Sequence, residues 1–260
     1  MVERVAGGTA ASETDHAASA DVSDFRRVDG AVLLDKLRRS TFLGQLPSAD
    51  VNVLAASASI KRYASSAVLF RQGDAAAVFY VISAGYVALS VGDPAELDDV
   101  AHIAGPGDTI GEACVCGDAV HPMSARLFGA GELIAIQGAA LRDLLSQRFE
   151  TVLAMLGEMS FRLRRQVRQI GDMKMKTAAE RLGGYLAGLT DAADGEAVVT
   201  LPYEKRLLAS HLGMQPETLS RALMKLQALG VRHHDSMSRF VIRDIQSLRR
   251  FADQPASEEL

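Results

Sequence analysis

Three residues that could read a nucleic acid stand close together in Gln215-Pro216-Glu217-Thr218-Leu219-Ser220-Arg221. On a helix, Glu217, Ser220 and Arg221 would share one face. Arg221 could donate twice to guanine O6 and N7, and Glu217 could accept from a cytosine amine or hold Arg221 in place. Ser220 is short enough to reach a base edge or a thymine methyl. Gln215 and Thr218 flank them, and Lys225, a helical turn later, brings a cation to the same side.

Such a face needs an element that can be pushed into a groove. Residues 207–228, LLASHLGMQPETLSRALMKLQA, supply two apolar runs of helical period around Gly213-Met214-Gln215-Pro216. Counted from Lys205 as position one, small Ala209 is fifth and Gly213 is ninth. Leu208, Leu212, Met214, Leu219 and Ala222 take the positions that seal two crossing helices. Gly turns the chain at little steric cost, and Pro216 suits a first helical turn because its missing N–H would be unpaired there anyway. Leu219, Ala222, Leu223 and Leu226 face inward on this reading, and Glu217, Ser220, Arg221, Met224 and Lys225 face outward. A strand at 197–201 precedes the pair, and a hairpin (231–233 and 240–242) and a helix at 244–252 follow, a winged layout. Residues 203–251 carry nine basic and four acidic side chains, a local positive field in a chain of net charge −4. The segment therefore reads as a helix-turn-helix that places its second helix in the major groove of duplex DNA.

The remainder reads as a scaffold for that module. Residues 1–24 are rich in Ala, Ser, Gly and acidic residues and are expected to be a disordered tail. Helices are predicted within 31–46, ending near Gly44, and from Asp50 to Ala58, the second capped by Ser48. Short β-rich runs follow at 67–70, 78–82, 86–91, 101–104 and 133–136. Turn signals separate them, among them Ala84-Gly85, Gly105-Pro106-Gly107-Asp108 and Gly129-Ala130-Gly131. Many short strands at near-regular spacing predict an antiparallel barrel or roll over 25–138. A long helix is predicted over 139–171, and a second one over about 174–189. Leu145, Phe149, Val152, Leu156, Met159, Leu163, Val167 and Ile170 form a near-heptad stripe with one slip on the long helix. That stripe is longer than one small roll can cover, so a parallel helix of a second copy is expected on it. The organisation is then tail 1–24, roll 25–138, dimerisation helix 139–171, DNA-binding module 172–252 and tail 253–260.

Composition excludes several classes. With 260 residues, 48% hydrophobic, the chain can bury one large core or two modest ones. It has no apolar run long enough for a membrane span, and its first residues lack the pattern of a secretory signal, so a cytoplasmic location is expected. Two cysteines, Cys114 and Cys116, make no disulfide framework. On a strand the two would share a face, where a direct disulfide would be strained. No Gly-rich phosphate loop, metal-spaced histidine cluster or nucleophile–base pair suggests an enzyme.

Roll, long helix and winged helix-turn-helix, in that order over about 30–252, resemble the cyclic-AMP receptor / fumarate–nitrate reductase regulator (Crp/Fnr) superfamily. The Glu-x-x-Ser-Arg of 217–221 is similar to the fumarate–nitrate branch. The resemblance implies an α+β chain: an N-terminal antiparallel roll of the cyclic-nucleotide-binding, jelly-roll type, a long dimerisation helix and a C-terminal winged helix-turn-helix. It further implies a homodimeric transcription regulator that reads a TTGAT-N4-ATCAA-like palindrome through Glu217, Ser220 and Arg221 and works with RNA polymerase.

The cyclic-nucleotide cassette of the family falls at Gly111-Glu112 through Ser124-Ala125. Glu112 takes the place of the ribose-binding acid and Ser124 that of a phosphate-binding serine. Pro122-Met123 stands where the phosphate arginine belongs, Arg126 lies two residues past the serine, and Gln166-Val167 replaces the polar pair of the long helix. A phosphodiester would lose its bidentate partner, which argues against cyclic AMP. The alternative function, a cyclic-nucleotide-binding regulatory protein of the same fold, is weakened by the same gap. A four-iron four-sulfur cluster needs about four thiolates, and the chain has two cysteines. His121-Pro122-Met123-Ser124 resembles a stretch of the nitric-oxide regulators of denitrification. Haem is therefore a candidate cofactor and nitric oxide a candidate signal, with His121, Cys114 and His102 as candidate axial ligands. His211, His233 and His234 read as phosphate-side or solvated groups of the DNA module.

Overall fold

The structure is a computed structural model that describes residues 30–94, 100–116, 119–234 and 238–253, with Cys116 described by its main chain alone. The tail expected at 1–24 lies outside the described residues, as do 254–260 and the tip of the wing at 235–237.

The first helix, α1 (Gly30–Arg38), stops before the expected end near Gly44, and Leu43–Gln45 forms a separate 3-10 turn. The stop lets Phe42 turn in against Phe79, the ring centroids 6.1 Å apart and nearly perpendicular. In α2 (Ser48–Ala56) the cap position belongs to Pro47. Ser48 is already helical, and its Oγ accepts from the Arg38 guanidinium instead of capping.

Six strands follow: β1 (Ala58–Tyr63), β2 (Ala67–Phe70), β3 (Val78–Ser90), β4 (Val100–Ala104), β5 (Thr109–Ile110) and β6 (Ser124–Gln137). They form one antiparallel sheet in the order β1-β6-β3-β4, with β2 also on β6 and β5 also on β3. The expected turns at Ala84-Gly85 and Gly129-Ala130-Gly131 lie inside β3 and β6. Pairing there shifts register between Ile82, Ala84 and Tyr86. The glycines thus bend two long strands instead of ending short ones, and the bend rolls the sheet. Gly105-Pro106-Gly107-Asp108 does turn: Asp108 N–H donates to Gly105 O, and Gly107 has φ +91°. Two apolar clusters fill the roll. One joins Leu37, Phe42, Leu54, Phe79, Ile134 and Leu141, and the other joins Tyr80, Ile82, Val87, Leu127 and Leu133.

The helix expected at 139–171 is two helices, α3 (Gly138–Gln147) and α4 (Phe149–Met175). No Pro or Gly marks the break at Arg148. A tertiary contact holds it: Asp50 of α2 accepts from Thr151 Oγ1 at 3.0 Å and pairs with Arg148 at 3.6 Å. Leu141 and Leu144 of α3 and Met155 of α4 all pack in the first roll cluster.

Next come α5 (Ala178–Gly188), β7 (Ala197–Thr200), α6 (Lys205–His211), α7 (Pro216–Ala228), β8 (Val231–His233), β9 (Arg239–Ile242) and α8 (Ile245–Ala252). Thr177 and Glu180 close a capping box on α5. The strands form a sheet in the order β7-β9-β8. Leu182, Leu186, Leu208, Leu219, Leu226, Phe240, Ile242 and Leu248 make one core beneath it, so α5 belongs to this module. No helix among the described residues is long and apolar enough to cross a membrane.

Candidate nucleic-acid interface and sensor cavity

The turn between α6 and α7 is built as its spacing requires. Gly213 has φ +61°, and its missing Cβ leaves room for Met173 of α4, whose sulfur would lie 3.1 Å from that atom. Leu219, Ala222 and Leu226 are buried under α7, and Gln215, Glu217, Ser220, Arg221, Met224 and Lys225 are exposed, with Thr218 half-buried. Ser220 Oγ donates to Pro216 O at 3.0 Å. Arg221 reaches Thr218 Oγ1 at 3.4 Å, a contact weak enough to be exchanged for a base edge. Lys225 leans over the Phe251 ring at 6.0 Å, toward α8 and away from the helix start. No side chain caps the first amides of α7, and with the helix dipole they suit a backbone phosphate. His233 lies against Phe240 with Lys205 nearby, and burial followed by that lysine holds its pKa below the usual value.

The outer side of α7 is open, but α6 is docked on the roll. Leu207 is buried against Ala88 and Ile103, and Tyr203 meets Tyr86 edge-on at 5.2 Å and takes a hydrogen bond from Tyr185 OH at 2.9 Å. His211 packs between Tyr185 and Tyr203, and its Nδ1 is buried with no hydrogen-bond partner. His211, expected as a phosphate-side or solvated group, thus has its ring packed against two tyrosines, with Nδ1 out of solvent. Burial first, then His102 and Arg165, hold its pKa down to about 4. Nothing in the local sequence marked it, because its neighbours come from three distant segments.

On α4 the exposed apolar line is Phe149, Leu153, Leu156, Leu163, Val167 and Ile170. With Ser160 it follows a strict heptad, and the slip read from the sequence disappears. Val152 is half-buried, and Met159 lines a cavity of its own chain despite being 41% exposed. Leu153 and Ser160 occupy the places given to those two in the sequence reading.

The expected cyclic-nucleotide contacts are taken by the protein itself. Ser124 is fully buried: its Oγ accepts from Gln72 N–H at 2.9 Å and donates to Gly92 O at 2.7 Å. Glu112 accepts from Arg162 Nη1 at 2.6 Å and from Thr109 Oγ1 at 3.1 Å. Gly111 has φ +86°, and a Cβ there would sit 2.6 Å from Val78 O, so its role is conformational. Arg126 donates to Pro94 O at 3.3 Å and lies over Phe128. Gln166 lines a different cavity, against His102 and His211.

The three haem candidates lie in three places. His121 is stacked flat on Phe70 at 3.6 Å and lines a mostly apolar cavity of about 300 Å³ with Leu89, Val115, Met123 and Met159. Burial holds its pKa below the usual value. Cys114 is fully buried behind that cavity, against Gly138. His102, on β4, faces the second cavity. Glu112–Cys116 is a 3-10 turn, so Cys114 and Cys116 do not share a strand face. Among the described residues no group of three or more His, Cys, Asp or Glu could hold a metal ion.

Two family models match: a cyclic nucleotide-binding domain over residues 60–148 and a Crp-like helix-turn-helix domain over 180–251. A putative cyclic nucleotide binding protein from Ruegeria pomeroyi is 30% identical over 87% of this chain and all of that one, with a TM-score of 0.63. FixK2 of Bradyrhizobium japonicum shares the fold, at 20% identity, 77% of this chain, 99% of that one and a TM-score of 0.65. A probable transcriptional regulator, flp, of Lacticaseibacillus casei is 30% identical over 129 residues, 50% of this chain. The chain spans 58% of the length of that curated relative.

Proposed function

The chain belongs to the Crp/Fnr superfamily, a family of transcription regulators and not of enzymes, and on that premise we propose that it is a homodimeric, cytoplasmic regulator reading duplex DNA with α7. The observation that carries this reading is the exposure of Glu217, Ser220 and Arg221 on one side of a helix whose other side is sealed by Leu219, Ala222 and Leu226. The exposed heptad of α4 is covered by the same helix of a second copy, which brings a second α7 to the other half-site. A two-fold dimer needs a palindrome, and the Glu-x-x-Ser-Arg pattern favours TTGAT-N4-ATCAA, with Arg221 on the guanine. RNA polymerase is the further partner. Residues 25–138 serve as sensor, 139–171 as connector and 172–252 as reader.

For the sensor, the internally satisfied Ser124 and Glu112 speak against a cyclic nucleotide. Haem keeps one argument: His121 lines an apolar cavity and would be its proximal ligand. Bound there, haem would supply an iron that takes a diatomic gas. The chain's own contribution is the coupling of that wall to α4, since Met159 borders the cavity and Arg162 is paired with Glu112.

A mobility-shift titration over a salt series tests the DNA reading. The palindrome should bind well ahead of a scrambled duplex, and both should weaken as salt rises. Equal affinity for the two duplexes at every salt concentration would remove it.

A further inference from the structure

A second cavity, of about 240 Å³, lies where β4, α4 and α6 meet. That is some eight water volumes at roughly 30 Å³ each, room for a small polyanion. Arg162, Arg165 and Arg168 line it from α4, His102 from the roll and His211 from α6. The arginines repeat at i, i+3 and i+6, and like charges at that spacing repel. Arg162 is compensated by Glu112, and the one carboxylate in the wall, Asp172, is already paired with Lys176 at 3.4 Å. Arg165 and Arg168 have no ion pair and no hydrogen bond among the described residues, and His211 Nδ1 is buried without a partner. A second lobe of about 470 Å³ shares Arg165, Arg168 and His211, but its Arg181 is spent on the carbonyls of Leu212 and Lys176.

We propose that this junction is a binding site for a small, multiply charged anion, a phosphate or phosphoester free in solution, held by Arg165 and Arg168. The anion neutralises the two unpaired guanidiniums and ties the roll, the long helix and the first helix of the DNA module into one arrangement. Burial is the first cause that holds both imidazole pKa values below the ordinary value, with Asp108 opposing it at His102 and with His102 and then Arg165 adding to it at His211. The site is lined by no residue of the α4 heptad and by none of α7, so it does not depend on α7 reading DNA.

Inorganic pyrophosphate is the probe, titrated calorimetrically into the full chain, with acetate as the monoanion control. One saturable site per chain is expected for pyrophosphate and none for acetate. The double variant R165A/R168A should bind at least tenfold more weakly at unchanged thermal stability, since neither side chain is buried. R164A, which removes an exposed arginine outside the cavity, should bind like wild type. Bound pyrophosphate should also raise the pKa of His211 by NMR. Wild-type affinity in R165A/R168A, equal losses in R164A, or no saturation would overturn the site. A 12-base-pair duplex that displaces pyrophosphate would assign these arginines to DNA backbone phosphate and overturn it equally.

Discussion

On the proposed reading, Arg221 is the residue on which sequence preference turns. Its weak hold on Thr218 leaves the guanidinium available, and a good bidentate pair to guanine discriminates by roughly 1–3 kcal/mol. Arg221→Ala should therefore narrow the gap between palindrome and scrambled duplex by about that much per half-site in fluorescence anisotropy, while salt dependence remains. Gly213 carries the turn: an Ala there must hold φ +61°, at a cost of about 1–2 kcal/mol, and must also displace Met173. Gly213→Ala should lower the urea midpoint accordingly. His211 gives a pH dependence of known sign. Its folded pKa, about 4, lies below the ordinary 6.5, so the unfolded chain binds the extra proton between these values. Stability from this group is complete above pH 6.5 and is lost as pH falls toward 4. Urea melts of His211→Gln should lack that component of the acid slope. The outer face of α7 was legible in the sequence because a 3.6-residue period sorts inside from outside. The burial of His211 was not, since it depends on Tyr185, Tyr203 and the roll.

The long helix shows what an element's pattern can hide. Its apolar stripe was visible as a near-heptad, but Val152 and Leu153 compete for one place, as do Met159 and Ser160. The competition is settled by the roll, which keeps Met159 for its own cavity and leaves Leu153 exposed. Two consequences can be measured by analytical ultracentrifugation. Leu163→Asp puts a charge in the centre of the exposed heptad and should turn the proposed dimer into a folded monomer. Ser160→Leu fills the one polar gap in the heptad and should tighten the dimer by roughly 1–3 kcal/mol. The strands were under-read for a related reason. Glycines at 85, 129 and 131 look like turns locally, and only pairing across the sheet shows that they bend β3 and β6. The break at Arg148 had no local signal at all, because Asp50, about a hundred residues away in the chain, makes it.

At the scale of the molecule, the roll is joined to the long helix by one contact and to the DNA module by another. Arg162 ties α4 to Glu112, and Leu207 with Tyr203 docks α6 on the roll strands. A change at the sensor cavity can reach α7 through either contact without a new fold. Leu207→Glu should break the second contact while the module's own core stays intact. Hydrogen exchange should then speed up together on β4 and α6, with β9 unchanged. On the proposed reading, two copies of α7 are presented to one duplex. Sedimentation of the chain with a labelled TTGAT-N4-ATCAA duplex tests this directly. The expected complex holds two chains per palindrome and is lost when either half-site is scrambled. A complex of one chain per duplex, or one of the same mass and strength on the scrambled sequence, would contradict it.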